Sequence, residues 1–574
     1  MKIAQPQIVK LPEWRRRLLL IAILLGFCVL IGRAVYLQSL HKAFLQKEGD
    51  ARYSRALTLP AHRGMITDRN GELLAISTPV ESVWANPADV VASAEQLKQL
   101  EVMLDIKPVD MSKKLANQNR EFVYLKRRIS PELASQVMAL NIPGVYTQRE
   151  YRRYYPGGEV TAQLVGFTGA DEKGQEGLEL KYQDWLSGKA GSRRVIKDRQ
   201  GHIVEDLEAV KVPQEGHDLV MSVDLKVQYL AFRELSKAVE ENKAKAGAAI
   251  VLDAKTGEVL AMVNLPSYNP NNPVKISDGS RNRAIVDTYE PGSTMKPMTV
   301  AAALESGTFT SETLVQTSPG SLSIGPATIH DSHPQGLISV AQVIQKSSNV
   351  GAAKIALTFK PQYLWDEFNQ LGFGMPTHIG FPGEVGGHLR NYKTWRPIEQ
   401  ATMSFGHGIS VTLLQIARAY TVFANAGELR PVSLIKLNES PVGQQVFSAQ
   451  TAQSVKDMLE LVVQSGGTAP KAQIMGYRVA GKTGTAHKVG AGGYEHDKYV
   501  SSFVGMAPAS NPRLIIAVMI DEPNNGQYYG GTVAAPVFAS IMEAALRMLA
   551  VPHDAPSDNV VLPPDGAPVV EEVI

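Results

Sequence analysis

Cysteine is almost absent: Cys28 is the only one in 574 residues. It falls inside the longest apolar run, so the rest of the chain can form no disulfide and offers no thiol nucleophile. An excess of one charge is lacking too. The 58 Lys+Arg against 56 Asp+Glu leave +2, which argues against nucleic acid as a partner. The 12 histidines form no His-Glu-x-x-His or comparable cluster, so neither a metal nor another cofactor is indicated. What remains is a globular composition, 44% hydrophobic and 20% charged, in a chain long enough for several domains.

Leu18 to Leu37 reads LLLIAILLGFCVLIGRAVYL, with Arg33 as its one charge, near an end where a long side chain can snorkel. A retained membrane anchor is expected over 18–37. The competing reading is a cleavable signal peptide, but Gly32-Arg33-Ala34 is a poor small-x-small site because the apolar run continues past it. Trp14-Arg15-Arg16-Arg17 abuts the start of the run, with Lys2 and Lys10 upstream, so residues 1–17 are expected to stay in the cytoplasm. Lys42, Lys47, Arg52 and Arg55 follow the run, but they belong to a long segment that translocates largely regardless of charge.

Residues 38–220 alternate short apolar runs with turn residues, and Asn70-Gly71 predicts a hairpin. Three polar clusters lie here, His62 to Gly71, Arg149 to Pro156 and Gly174 to Glu179, for which solvated loops and an interdomain role compete evenly. From Ser222 the pattern changes and a second domain, 221–550, is expected. It opens with an amphipathic helix over Leu225 to Ala246 and a hairpin, Ala248 to Asp253 and Glu258 to Val263. Helices are predicted after Ser293, around Val340 to Ala356, over Thr412 to Asn425 and over Ala449 to Ser465 with Gly466 as a stop. Strands follow at Tyr477 to Ala480, Tyr499 to Met506 and Leu514 to Ile520, then a helix from about Thr532 to Leu549. A sheet uniting sequence-distant strands, flanked by terminal helices and carrying a helical insertion, is an α/β arrangement. Residues 551–574, rich in Pro, Asp and Val without periodicity, read as a flexible tail.

Chemistry enters through three short motifs in order: Ser293-Thr294-Met295-Lys296, Ser347-Ser348-Asn349 and Lys482-Thr483-Gly484-Thr485. Each alone is common. Ser39 to Lys42, Ser280-Arg281-Asn282, Lys255-Thr256-Gly257 and Ser557-Asp558-Asn559 are decoys whose contexts fail: a membrane segment, the wrong order, a hairpin turn and a Pro-rich tail. A serine hydroxyl needs a base within reach and donors for the oxyanion it creates. Positions 293 and 296 share a helical face, so Lys296 is placed to act as base for Ser293, and burial beside Lys482 lowers an amine's pKa in the needed direction. Ser347 is a candidate proton relay, and Asn349 offers an amide that can bind a peptide carbonyl or fix Lys296. Lys482 to Thr485 is expected to be a strand lining the cleft. In it Thr483 and Thr485 present hydroxyls to a terminal carboxylate, and Gly484 leaves room for substrate. The backbone N–H groups of Ser293 and Thr485 are the expected oxyanion donors.

These motifs, together with Arg63-Gly64-x-Ile66-x-Asp68-Arg69-Asn70-Gly71, Glu290-Pro291-Gly292-Ser293, Gly406-His407-Gly408 with Thr412 and Gln415, and Ala424-Asn425-Ala426-Gly427, resemble the class B penicillin-binding proteins, the monofunctional peptidoglycan transpeptidases. The resemblance implies a β-lactamase/transpeptidase-like domain, an antiparallel sheet flanked by helices plus a helical subdomain, behind a mixed α+β pedestal of the dimerisation type at 38–220. Gly49 to Arg52 and Ala61 to Gly71 look like the division-specific (septal) members of Gram-negative bacteria, with the elongation-specific members as the alternative. It further implies attack on the D-Ala-D-Ala end of pentapeptide strands of nascent peptidoglycan, release of D-Ala, and acylation by β-lactams. No Glu-x-x-Leu-Asn occurs, the carboxylate motif with which class A β-lactamases deacylate, so a stable acyl-enzyme is expected. The implied partners are a polytopic (SEDS-type) glycan polymerase and other membrane proteins of a division complex, with the catalytic part in the periplasm at the inner membrane. A membrane-anchored β-lactam sensor or scaffold is the reading from a different class, although such sensors generally have more spans and a cytoplasmic effector.

Overall fold

The computed structural model describes residues 12–40, 54–59, 61–197, 203–273, 278–490 and 493–561. The apolar run is one helix, Glu13–Val35, continued by a π turn over Tyr36–Leu40. It is long and apolar enough to cross a bilayer. It begins before Leu18 because Trp14 and the three arginines keep helical geometry, with Arg15 stacked over the Trp14 ring at 5.3 Å.

In the N-terminal domain the spine is Leu73–Ala85, which pairs along most of its length with Val145–Tyr154 and over its last residues with Val123–Ile129. The expected hairpin is there: Ile66–Thr67 returns into Leu73 through a turn in which Gly71 has φ 92°. Helices Ala94–Leu104, Pro108–Leu115 and Pro131–Ala139 cover one face and close a small core of Val83, Leu100, Leu104, Leu125 and Val137. A three-stranded sheet joins Ser54–Leu59, Gly191–Lys197 and Ile203–Lys211.

The C-terminal domain opens with α1, Leu225–Glu241, capped by the Asp224 carboxylate, which accepts from Lys226 N and Val227 N. Strands β1 (Ala246–Asp253) and β2 (Val259–Leu265) form the expected hairpin. Then come α2 (Lys296–Glu305), α3 (Val340–Lys346), α4 (Asn349–Ala356) and α5 (Ala449–Val463). Three more strands, β3 (Ala480–Gly490), β4 (Gly493–Ala507) and β5 (Leu514–Asp521), precede α6 (Ala535–Met548). The sheet order is β2-β1-β5-β4-β3, antiparallel throughout, so β1 and β5 pair despite their distance in sequence. Both are buried at every residue because α1 and α6 cover one face and the helical insertion the other. Strands covered on both sides read as continuous apolar runs rather than alternating ones, and that unbroken run is the signal both carry in the sequence. β3 closes the order and is an edge strand. It begins at Ala480, so Tyr477 to Val479, predicted as strand, lie outside it, and it runs on to Gly490.

The three polar clusters are not solvated loops, and the first of them has the interdomain role. Asp68 ties the domains together: its Oδ1 accepts from Asn70 N at 2.7 Å and Glu72 N at 2.9 Å, while its Oδ2 accepts from Leu225 N, at the start of α1, at 3.0 Å. Asn70 Nδ2 donates to Asp224 at 2.9 Å. One residue from each cluster meets in a buried ion triad, with Arg63 Nε 2.7 Å and Arg153 Nε 2.6 Å from opposite oxygens of Glu179. The tail is a correction: residues 551–561 lie against the segment before β3. Asn559 accepts from Gly476 N and donates to Ile474 O and Tyr477 O, and the Tyr477 hydroxyl donates to Val551 O at 2.7 Å. The remaining residues of the expected tail, 562–574, fall outside the described residues.

Candidate active site

Ser293 lies in a short 3-10 turn, Gly292–Met295, that runs directly into α2. Pro297 is tolerated because amides of a first helical turn lack intrahelical partners. The turn carries Lys296 Nζ to 2.9 Å from Ser293 Oγ. Two further bonds hold it: Thr294 Oγ1 donates to Pro291 O at 2.8 Å, and the Tyr420 hydroxyl donates to Thr294 O at 2.9 Å.

A second element is a break. The helix predicted around Val340 to Ala356 is two helices, because Ser347 takes φ 59°, a left-handed conformation rare for residues other than glycine. That kink turns both the Ser347 hydroxyl and its carbonyl towards Lys296, with Nζ 3.0 Å from Oγ and in contact with the carbonyl oxygen. Ser348 caps α4 by accepting from Gly351 N at 2.9 Å, and Asp331 binds both Ser348 Oγ and Val350 N. Asn349 Nδ2 donates to His330 O at 3.1 Å, so the carbonyl of a neighbouring strand sets the orientation of its amide.

β3 supplies the third element. Lys482 Nζ is 2.8 Å from Ser347 Oγ and 3.1 Å from Thr483 Oγ1, so one hydroxyl bridges two lysine amines. Lys296 and Lys482 are both 0% exposed and Ser293 6%, which keeps bulk water from the amines while leaving the nucleophile a narrow opening. Thr483 and Thr468 share a hydroxyl contact at 2.8 Å, and Thr485 Oγ1 accepts from Gly530 N at 3.0 Å. The role expected of Gly484 changes. A β-carbon there would lie 2.5 Å from Ser502 Oγ, 2.9 Å from Pro291 O and 2.9 Å from Thr294 Cγ2. The glycine therefore lets the nucleophile's turn approach the strand, rather than leaving room for substrate. Gly406, with φ 87°, plays the same part behind the turn: a side chain there would meet the backbone of Gly292.

Beside the cleft, His407 is pushed down to about 4, by burial first and then by the charges of Lys296 and His487, so it stays neutral near physiological pH. Burial raises Glu290, against the opposing pull of the Gly408 N–H, the Tyr494 hydroxyl and Arg390. Glu290 accepts from Gly408 N at 2.8 Å and from Tyr494 Oη at 2.9 Å.

The model of the penicillin binding protein transpeptidase domain matches residues 247–543, and that of the penicillin-binding protein dimerisation domain matches 58–221. The chain belongs to the class B penicillin-binding proteins. It is 44% identical to the probable peptidoglycan D,D-transpeptidase PenA of Neisseria meningitidis over 94% of this chain and 93% of that protein. It is 42% identical to the peptidoglycan D,D-transpeptidase FtsI of Escherichia coli over 95% and 93%. Among solved structures, the TP domain of Burkholderia pseudomallei penicillin-binding protein 3 matches with a TM-score of 0.55 at 49% identity, covering 58% of this chain and 98% of that one. A peptidoglycan synthetase from Bifidobacterium adolescentis matches with a TM-score of 0.71 at 25% identity, covering 88% and 99%.

In this penicillin-binding protein Ser293, Lys296, Ser347, Asn349, Lys482, Thr483 and Thr485 gather where the three elements meet. Asp331, His330, Thr468 and Tyr420 escaped the sequence reading. Thr468 had a weak signal in Gly466-Gly467-Thr468, a turn pointing back at the cleft, whereas nothing in the sequence around Asp331 singles it out.

Proposed function

We propose that the chain is a serine D,D-transpeptidase of septal peptidoglycan that acts through an acyl-enzyme on Ser293. The observation that carries this reading is the chain of contacts Ser293 Oγ–Lys296 Nζ–Ser347 Oγ–Lys482 Nζ, at 2.9, 3.0 and 2.8 Å. Two buried amines around one hydroxyl disfavour both being charged, which leaves one able to take a proton.

Lys296 accepts the Ser293 proton as Oγ attacks the carbonyl of the penultimate D-Ala. A C–O ester bond forms and the C–N bond to the terminal D-Ala breaks. The proton passes through Ser347 to the leaving amine, and D-Ala departs. The Ser293 and Thr485 amides stabilise the oxyanion, and Asn349 orients the donor peptide. The hydroxyls of Thr483 and Thr485, backed by Lys482, hold the terminal carboxylate. An amine on a neighbouring strand then attacks the ester and restores Ser293. A β-lactam opens along the same path, but its amine stays tethered, so the adduct persists.

The arginine collar before the helix Glu13–Val35 supports a span with its N-terminal side in the cytoplasm and the catalytic domain in the periplasm. The likeness to the FtsI and PenA peptidoglycan D,D-transpeptidases supports the activity, while the septal setting, with a glycan polymerase and division-complex membrane proteins as partners, rests on the resemblance carried by Gly49 to Arg52 and Ala61 to Gly71. Fluorescent penicillin should label the wild type and leave Ser293→Ala unlabelled; full labelling of the variant would remove Ser293 as nucleophile. Cross-linking of nascent glycan beside a polymerase separates the enzyme from the sensor reading, and midcell localisation separates septal from side-wall work.

A further inference from the structure

β3 is an edge strand, so the ladder to β4 fixes only one of its sides. Lys482 and Thr483 stand close to its start, since Ala480 opens it. The connection from α5 into β3 passes the site early, where Thr468 meets Thr483 at 2.8 Å, and ends at Tyr477 to Val479, outside the sheet. Whatever holds that end sets where the strand enters.

The residues that follow α6 hold it. Asn559, the last residue of Ser557-Asp558-Asn559, uses both ends of its amide: Oδ1 accepts from Gly476 N at 2.9 Å, and Nδ2 donates to Ile474 O at 3.1 Å and Tyr477 O at 2.9 Å. Asp554 spans two segments. Its Oδ1 accepts from Arg478 N at 2.8 Å, and its Oδ2 accepts from Ser510 N at 3.1 Å, in the turn that joins β4 to β5. Asp554 N and Ala555 N both donate to Gly476 O. Packing agrees with the bonding: the His553 ring stands edge-on to Tyr477 at 4.6 Å, Tyr477 is 4% exposed, and a β-carbon at Gly476 would come 2.8 Å from His553. Backbone outside a sheet must find partners elsewhere when it is covered, and here the chain's own C-terminal segment supplies them.

We infer that residues 551–561 are a strap that positions the start of β3 for the reaction, with Asp554 and Asn559 as its positioning residues. Neither reaches the substrate. Arg478, the last strapped residue, precedes Lys482 by four positions, about 13 Å of extended chain, so a displaced entry is passed along the strand to Lys482 and Thr483. The inference rests on the transpeptidase reading, in which Thr483 and Thr485 hold the terminal carboxylate.

The test uses the full-length protein in detergent and two acylating agents that differ in one group: penicillin, and its methyl ester, in which the carboxylate is blocked. Acylation by each is followed well below the melting transition of every variant. The wild type should react with the free acid faster by roughly tenfold or more, the range of a charge-assisted hydrogen bond. Asn559→Ala and Asp554→Ala should each lower that ratio at least about threefold, as when such a bond is weakened, with Tyr477→Phe, which loses only the bond to Val551 O, between them and the wild type. A strap that serves stability alone would lower the melting temperature and leave the ratio at its wild-type value, and that result in a folded variant would overturn the inference while leaving the function reading intact. Where an alanine variant fails to fold, Tyr477→Phe decides on the same ratio. Equal rates with acid and ester in a wild type that penicillin acylates would remove the strap together with the carboxylate role of the threonines. A wild type that penicillin does not acylate would remove the transpeptidase reading itself.

Discussion

A hydrogen in place of a methyl at position 484 lets the nucleophile's turn lie against the edge strand. Gly484→Ala must push Pro291 O and the Thr294 methyl away, and a backbone oxygen such as Pro291 O does not yield as the end of a flexible side chain does. Overpacking of this kind costs about 1–3 kcal/mol, and here the displaced atoms belong to the segment that carries Ser293. A lower melting temperature and a penicillin acylation rate reduced at least tenfold are expected; an unchanged rate would mean that the turn and the strand need not touch. The glycine was legible as part of a motif but its reason was not, since close approach between residues 190 positions apart leaves no local trace. Ser347 is similar. Its place in the motif was plain, while the left-handed backbone that turns its hydroxyl to two lysines is a tertiary outcome that propensity opposes.

At the scale of elements, the break between α3 and α4 is held by Asp331, whose two oxygens take Ser348 Oγ and Val350 N. Asp331→Ala removes both acceptors from a partly buried helix start. A loss of about 1–2 kcal/mol is expected, together with slower acylation because Asn349 sits in the same turn; equal melting and equal rates in the variant would dismiss this support. Nothing near Asp331 announces a cap for a helix 18 positions later. By contrast, α1, β1, β2, β5 and α6 could be read in advance, since each carries a periodicity or an unbroken apolar run set by its own burial. The Thr412 and Gln415 pair is a capping box, with Gln415 N donating to Thr412 Oγ1 and Thr412 N to Gln415 Oε1, so a motif recognised by resemblance has a local physical reason.

Over the whole molecule, the boundary near residue 220 does not separate two cores. Ile66, Leu74, Leu164 and Leu186 pack in the same buried cluster as the central sheet, while the cluster around Val83 and Leu125 stands apart. The base of the N-terminal domain is therefore continuous with the catalytic domain, and Glu179 holds that base together. Glu179→Ala strands Arg63 and Arg153 without a counter-ion, a change that typically costs about 3–5 kcal/mol when a buried pair is broken. Thermal unfolding of the solubilised protein should fall markedly, and an unaltered transition would show that the triad is not what secures the base. The polar clusters were visible in the sequence, but three segments converging on one carboxylate is information only the fold holds.

The most direct check is peptide mapping by mass spectrometry after brief exposure of the wild type to penicillin. The adduct, with the mass of the intact antibiotic, is expected on the peptide containing Ser293, and Lys296→Ala should abolish it while leaving the protein folded. An adduct on any other residue, or undiminished acylation without Lys296, would contradict the account.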